Sequence, residues 1–160
     1  MDNVTKNMIR SGRISSINPG NGTARVTFAD KDGLVSNDLP ILQRQTLKNK
    51  DFSMPDIGES VVCVFQPNGL AEGFILGAHY NEEDKPPGSN PDIRQVTFED
   101  GTMVSYNRSS HVLDINCGSG TVNIVAAGNV NVTGDVIADG ISLKTHTHPE
   151  SIGSVTGPPG

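Results

Sequence analysis

His146 and His148 stand two residues apart in the run Lys144-Thr145-His146-Thr147-His148-Pro149-Glu150, shortly before Thr156-Gly157-Pro158-Pro159-Gly160. Imidazole nitrogen suits first-row transition metals, and side chains at i and i+2 of an extended segment project to the same side. One chain therefore offers two ligands, too few for most of these ions, whereas three identical chains around an axis would offer six. An octahedral all-nitrogen site fits iron, nickel or cobalt, while zinc in proteins is usually four-coordinate. Six protein ligands leave no open position for water or substrate, so the role would be a cross-link and not Lewis-acid catalysis. The ligands must be neutral, so acid should weaken the lock. A pair of solvated histidines near a chain end is the plainer reading of the spacing alone.

Other chemistry-bearing residues have less support. His79 and His111 have no partner motif and read as packed or surface histidines. Glu82, Glu83 and Asp84 read as a solvated charge run, and Glu99-Asp100-Gly101 as a turn, so no carboxylate pair is set up for general acid/base work. Cys63 and Cys117 fall in what read as different domains, at a spacing that suits neither a disulfide nor a zinc site. Both read as buried thiols.

The elements that must position the histidine pair are short strands. Ala24-Arg25-Val26-Thr27-Phe28 alternates with the period of a half-buried strand, and Pro19-Gly20-Asn21-Gly22 turns the chain back toward Ile14–Ile17. Val61–Phe65 and Gly73–Gly77 are two further apolar runs, joined by a turn at Gln66-Pro67-Asn68-Gly69; Leu42–Lys50 reads as a loop or one helical turn. About five strands in residues 10–80 fit a small closed or partly open barrel. Residues 1–9 form an arm before it, and the charged, then proline-rich stretch 81–93 is a linker.

From 94 to 143 the strands become very short. Val96 and Phe98, Val104 and Tyr106, then His111, Leu113, Ile115 and Cys117 alternate with polar residues, followed by Val122, Ile124 and Ala126, by Val130 and Val132, and by Val136 and Ala138. Gly128, Gly134 and Gly140 recur every six residues. Such a ladder has one apolar face and no segment of its own to cover it, which invites edge pairing. Three copies wound together would turn those faces inward. A monomeric β-solenoid is the competing arrangement. Ile141 and Leu143 differ in parity from His146 and His148, so a bulge or bend near Lys144-Thr145 is needed to bring both pairs to one side.

Composition agrees with association. Of 160 residues, 34% are apolar and 18 are glycine, which is thin material for one large monomeric core. The net charge of −6 opposes binding to DNA or RNA, and aromatics, at 4%, are too few to build stacking platforms. The N-terminal ten residues contain no apolar signal region, and no later run is long enough to span a bilayer, so synthesis in the cytoplasm is expected.

Gly12-Arg13-Ile14, Ala24-Arg25-Val26, Leu39-Pro40-Ile41-Leu42, Pro55-Asp56-Ile57-Gly58-Glu59-Ser60-Val61 and Gly73-Phe74-Ile75-Leu76-Gly77, in that order, resemble the oligosaccharide/oligonucleotide-binding (OB) domain of the phage baseplate assembly protein V family. Proteins of that family are the central spikes of contractile tails. The ladder after residue 93 resembles their intertwined trimeric β-helix. His146-Thr147-His148 with Gly153 and Thr156–Pro159 resembles their apex, where histidines of three chains hold an iron ion. The resemblance implies an all-β homotrimer in three parts: an OB-fold barrel at 10–80, a β-helix at 94–143 and an iron-binding apex at 144–160. It implies a virion tail baseplate location, docking of the barrel on a tail hub or tube component, and transient contact with the host outer membrane. Pro149-Glu150 departs from the glycine-rich connection expected there, and nothing resembles the lysozyme domain of larger spikes. Enzymatic activity is therefore not expected. The spike of a phage-like bacteriocin or related injection device is the nearest alternative. A trimeric glycan-binding module and a trimeric metalloenzyme are more distant ones.

Overall fold

Alternation along Thr23–Phe28 puts Ala24, Val26 and Phe28 on one side of a strand, and all three are buried, Val26 and Phe28 completely. The computed structural model describes residues 8–67 and 72–148, with Gly153 and Gly157. It is all-β, and the chain divides into two compact units, 1–91 and 92–160.

The first unit holds β1 (Ile9–Asn18), β2 (Thr23–Phe28), β3 (Leu34–Val35), β4 (Leu39–Pro40), β5 (Ser60–Phe65) and β6 (Gly73–Ala78). They form one sheet in the order β3-β2-β1-β5-β6, with β4 also pairing β2. The long β1 serves two neighbours. Ile9–Arg13 pair with β5, and Arg13–Asn18 pair with β2. The register with β2 shifts between Ile14 and Ser16, leaving Ser15 as an extra residue whose hydroxyl donates to the Arg25 carbonyl at 3.2 Å. A bulge of this kind bends and twists a strand, which is how one strand can lie in two ladders facing the same core.

That core comprises Ile14, Ala24, Val26, Phe28, Leu39, Val61, Cys63, Phe65 and Ile75. Phe28 and Phe65 meet edge to face at 5.7 Å, the arrangement that aromatic quadrupoles favour. Burial pushes the Cys63 thiol up to about 11, so it behaves as a small apolar side chain. Arg10, nearly buried, lies over the Phe28 ring at 5.4 Å and pairs with Asp30. At the far edge the Leu42 N–H donates to the Ile75 carbonyl at 3.0 Å, and Ile41 forms a single parallel bridge with Ile75.

Several expectations need correction. The sheet does not close into a barrel: among the described residues, the Ile41–Ile75 bridge is what links the β4 end to β6, and no continuous ladder joins them. A two-residue β4 is too short to seal the gap. The first strand begins at Ile9, inside the expected arm, because Ile9 pairs with Val64. Leu42–Lys50 is a loop, one of the two forms expected for it, with a single Thr46–Lys50 bridge. Residues 1–7 of the expected arm and 68–69 of the expected turn lie outside the described residues.

In the second unit, β7 (Ile93–Thr97), β8 (Met103–Asn107) and β9 (Val112–Asn116) form an antiparallel meander. β7 starts at the last residue of the expected linker. Gly101 takes positive φ in the first turn, with Asp100 accepting from the Thr102 N–H and hydroxyl. In the second turn Asn107 accepts from the Ser109 and Ser110 N–H groups, and His111 takes positive φ. His111 is thus a turn residue and does not share the strand face of Leu113 and Ile115. Register places Val96, Val104 and Ile115 abreast, beside Arg94, Tyr106 and Leu113. The apolar members of this face are between 40% and 64% exposed.

The expected strands at 122–126 and 130–132 are not formed; their apolar residues lie on chain without ladder bonds, and Val125 is 95% exposed. A strand exists only when a neighbour takes its backbone N–H and C=O groups, and no described segment of the same chain does so here. Regular structure returns at β10 (Ile137–Ala138) and β11 (Ile141–Ser142).

The close packing of β1 beside β2 depends on Gly12, where an added Cβ would lie 2.5 Å from Val26 Cγ1, 2.7 Å from the Thr27 carbonyl and 2.9 Å from Phe28 Cδ1. Gly12→Ala should cost about 1–3 kcal/mol by overpacking, read as a lower urea midpoint in near-ultraviolet circular dichroism. An unchanged midpoint would show that β2 yields easily.

Candidate metal centre

The residues around the histidine pair are organised by a hairpin. Asp139 and Gly140 both take positive φ, at 48° and 82°, the requirement of a type I′ turn and the reason Asp-Gly favours it. The turn pairs Ala138 with Ile141 and Ile137 with Ser142, and the Leu143 N–H donates to the Val136 carbonyl at 2.8 Å. This register carries Asp135 next to the Ser142–Lys144 segment.

Asp135 ties the hairpin at its open end. One carboxylate oxygen accepts the Ser142 hydroxyl at 2.5 Å, and the other accepts the Val136 N–H at 2.8 Å and the Lys144 N–H at 3.2 Å. The Ser142 Oγ in turn accepts from the N–H groups of Lys144 at 3.2 Å and Thr145 at 3.0 Å. A turn over 143–145 follows β11, at the place where the parity of Leu143 and His146 requires a break in register. Lys144 is exposed.

The His146 N–H donates to the Ser142 carbonyl at 3.1 Å, and the ring Nδ1 lies 3.0 Å from that oxygen and 3.1 Å from the Leu143 carbonyl. A carbonyl only accepts, so Nδ1 carries the proton and Nε2 of the neutral ring holds the lone pair. Metal-ligating histidines commonly have this support, the second nitrogen being oriented by a carbonyl or carboxylate. The His146 and His148 rings stand 5.1 Å apart at 87°.

Among the described residues no group of three or more His, Cys, Asp or Glu side chains converges. The pair is therefore a donor set that fits a metal but does not complete a site within one chain. Pro149, Glu150, Thr156, Pro158 and Pro159, which belong to the expected apex, lie outside the described residues.

Other sequence candidates are not drawn into this centre. His79 lines an open groove of about 570 Å³ in the first unit with Arg13, Asp56, Glu59 and Tyr80, and its Nδ1 faces the Tyr80 carbonyl at 3.1 Å. The expected charge run at 82–84 is part of a built turn. The Asn81 side-chain oxygen accepts from the Glu83 and Asp84 N–H groups, its amide donates to Ser60 Oγ, and Glu83 pairs with Arg13. Sequence reasoning missed Asp135 and Ser142. The signal was present in the Asp139-Gly140 hairpin dipeptide, which fixes what stands opposite what.

With the geometry established, a comparison with known proteins is informative. Over 132 residues, 82% of the chain, it is 26% identical to the protein named Spike protein of Escherichia phage P2. The likeness is to a phage spike protein. The aligned region is 61% of the phage P2 protein's length, so the chain spans less than two thirds of that relative. No family model matches the chain.

The Asp135 carboxyl is held below the usual carboxylate value, first by the Ser142 hydroxyl and, against desolvation, also by the Lys144 and Val136 N–H groups. A carboxyl lowered on folding stabilises fully above its unfolded pKa, and the contribution is lost as pH falls through the lowered value. The Lys144 amide resonance should therefore titrate with a midpoint below the ordinary aspartate value of about 3.9, and Asp135→Asn should abolish the transition. A midpoint at or above that value would contradict the hydrogen-bonded geometry.

Proposed function

We propose that three copies of this chain form the structural central spike of a phage tail baseplate, carried in the virion and driven through the host envelope on tail contraction. The observation that carries this reading is the uncovered apolar face of β7–β9, with Val96, Val104, Tyr106, Leu113 and Ile115 all partly exposed, continued by Ile124, Val130 and Val132 beyond it. Among the described residues, none of the second unit belongs to the buried core. Burial of such surface is worth about 25 cal/mol per Å², and identical neighbours around an axis can supply both apolar cover and strand partners. The likeness to the phage P2 Spike protein points the same way.

In this reading the second unit becomes an intertwined β-helix whose stiffness comes from interchain backbone hydrogen bonds. These must break together for the chains to part. The first unit, an OB-type module, docks on a hub or tube component of the baseplate. His146 and His148 of each chain hold one iron ion at the tip, which supplies a cross-link where chain ends otherwise fray. Their six nitrogens would fill an octahedral shell, consistent with a mechanical and not a catalytic role.

The mass in solution should be three times 16.9 kDa, with one metal ion per three chains. A stable monomer, or one ion per chain, would reject the model. The double change His146→Ala, His148→Ala should remove the metal while leaving the trimer.

Ile115→Glu places a charge on the apolar face and should dissociate the trimer, or prevent its assembly, while the first unit keeps its circular dichroism signature. A fully trimeric Ile115→Glu protein would show that this face is not the interface.

A further inference from the structure

We propose that Asp135 and Ser142 are positioning residues for His146, holding the turn that keeps its Nδ1 protonated and so presents Nε2 as a metal ligand. The inference rests on the metal-binding reading above and assigns the supporting roles to residues of the chain itself.

An unconstrained neutral imidazole exchanges its proton between the two nitrogens, and only the form with the proton on Nδ1 can bind a metal through Nε2. In this chain the proton is held by two backbone carbonyls, those of Ser142 and Leu143, at 3.0 and 3.1 Å. Their orientation is the quantity that has to be controlled. Leu143 is fixed by its N–H bond to Val136 and Ser142 by its ladder pairing with Ile137. Both are backbone constraints of the hairpin, and neither fixes how the chain turns after residue 143.

The His146 N–H bond to the Ser142 carbonyl closes that turn, and the side chains of Ser142 and Asp135 brace it. The Ser142 hydroxyl donates to Asp135 and its oxygen accepts from Lys144 and Thr145, so one small side chain joins the carboxylate to the next turn of backbone. Asp135 also takes the Lys144 N–H directly and the Val136 N–H on its own strand. The carboxylate thus spans both strands of the hairpin immediately before the ligand. Ser142 acts twice, through Oγ on the turn and through its carbonyl on the His146 ring and N–H. The order of influence is Asp135, the Ser142 hydroxyl, the 143–145 turn, then the imidazole proton. This is the carbonyl-oriented support of a ligating histidine, extended one layer outward.

A role confined to hairpin stability would leave the ring proton unaffected, so the test reads that proton directly. Full-length protein labelled with ¹⁵N at histidine would be prepared metal-free, then loaded with Fe(II). Long-range ¹H–¹⁵N correlation gives the His146 tautomer, and the rate of Fe(II) loss to a chelator gives ligand quality. The unaltered metal-free protein should show the Nδ1–H form. Ser142→Ala and Asp135→Ala should shift it toward exchange between both forms and raise the Fe(II) loss rate about tenfold or more, with trimer mass retained. Ser142→Thr, which keeps the hydroxyl, should restore both readings. Retention of the Nδ1–H form in both alanine variants would overturn the positioning role. Failure of the unaltered protein to take up Fe(II) would overturn the metal reading on which it rests, and the metal-free tautomer distinguishes the two failures.

Discussion

Apolar surface that a chain leaves uncovered has to be covered by something else, and in this protein that requirement is concentrated after residue 91. Among the described residues, the first unit buries nine apolar side chains in one cluster. The second presents a three-stranded sheet with one largely apolar face, followed by a run of Val and Ile on backbone that makes no ladder. Strand formation and burial fail together there, because both need a neighbour that no described segment of the chain provides. In the proposed trimer a second and third copy would satisfy both demands at once.

The degree to which the fold was legible follows the same division. Period-two alternation located β2, an unbroken apolar run located β5, and the Pro19–Gly22 turn located the β1–β2 hairpin, because each signal lies within a few residues. Where no described segment offers a pairing partner, as at Val122–Ala126, the alternation records one-sidedness but does not by itself make a strand. The bulge at Ser15 and the incomplete closure at Ile41–Ile75 arise from distant strands sharing one core, and no local pattern encodes them. His111 was misplaced for a local reason: alternation carried it onto the strand face, but the Asn107 turn claims it first.

For the candidate site, residue type and spacing singled out the two histidines proposed as ligands, and parity pointed to a break before them. The means of making that break was not visible. It depends on Asp135 and Ser142 meeting across a hairpin, which becomes apparent only once the Asp139-Gly140 turn has set the register. A histidine motif alone says what can bind; the hydrogen bonds behind it say which nitrogen is offered.

The double membership of β1 also bears on how the first unit assembles. Its hairpin with β2 is local and can form on the microsecond scale, whereas its pairing with β5 brings together segments about forty or more residues apart and must meet the entropy of closing that loop. A nascent chain would therefore hold one flank of β1 ready and the other bare until β5 arrives. Sequence changes in the intervening segment should alter the rate of maturation more than the strength of the finished sheet.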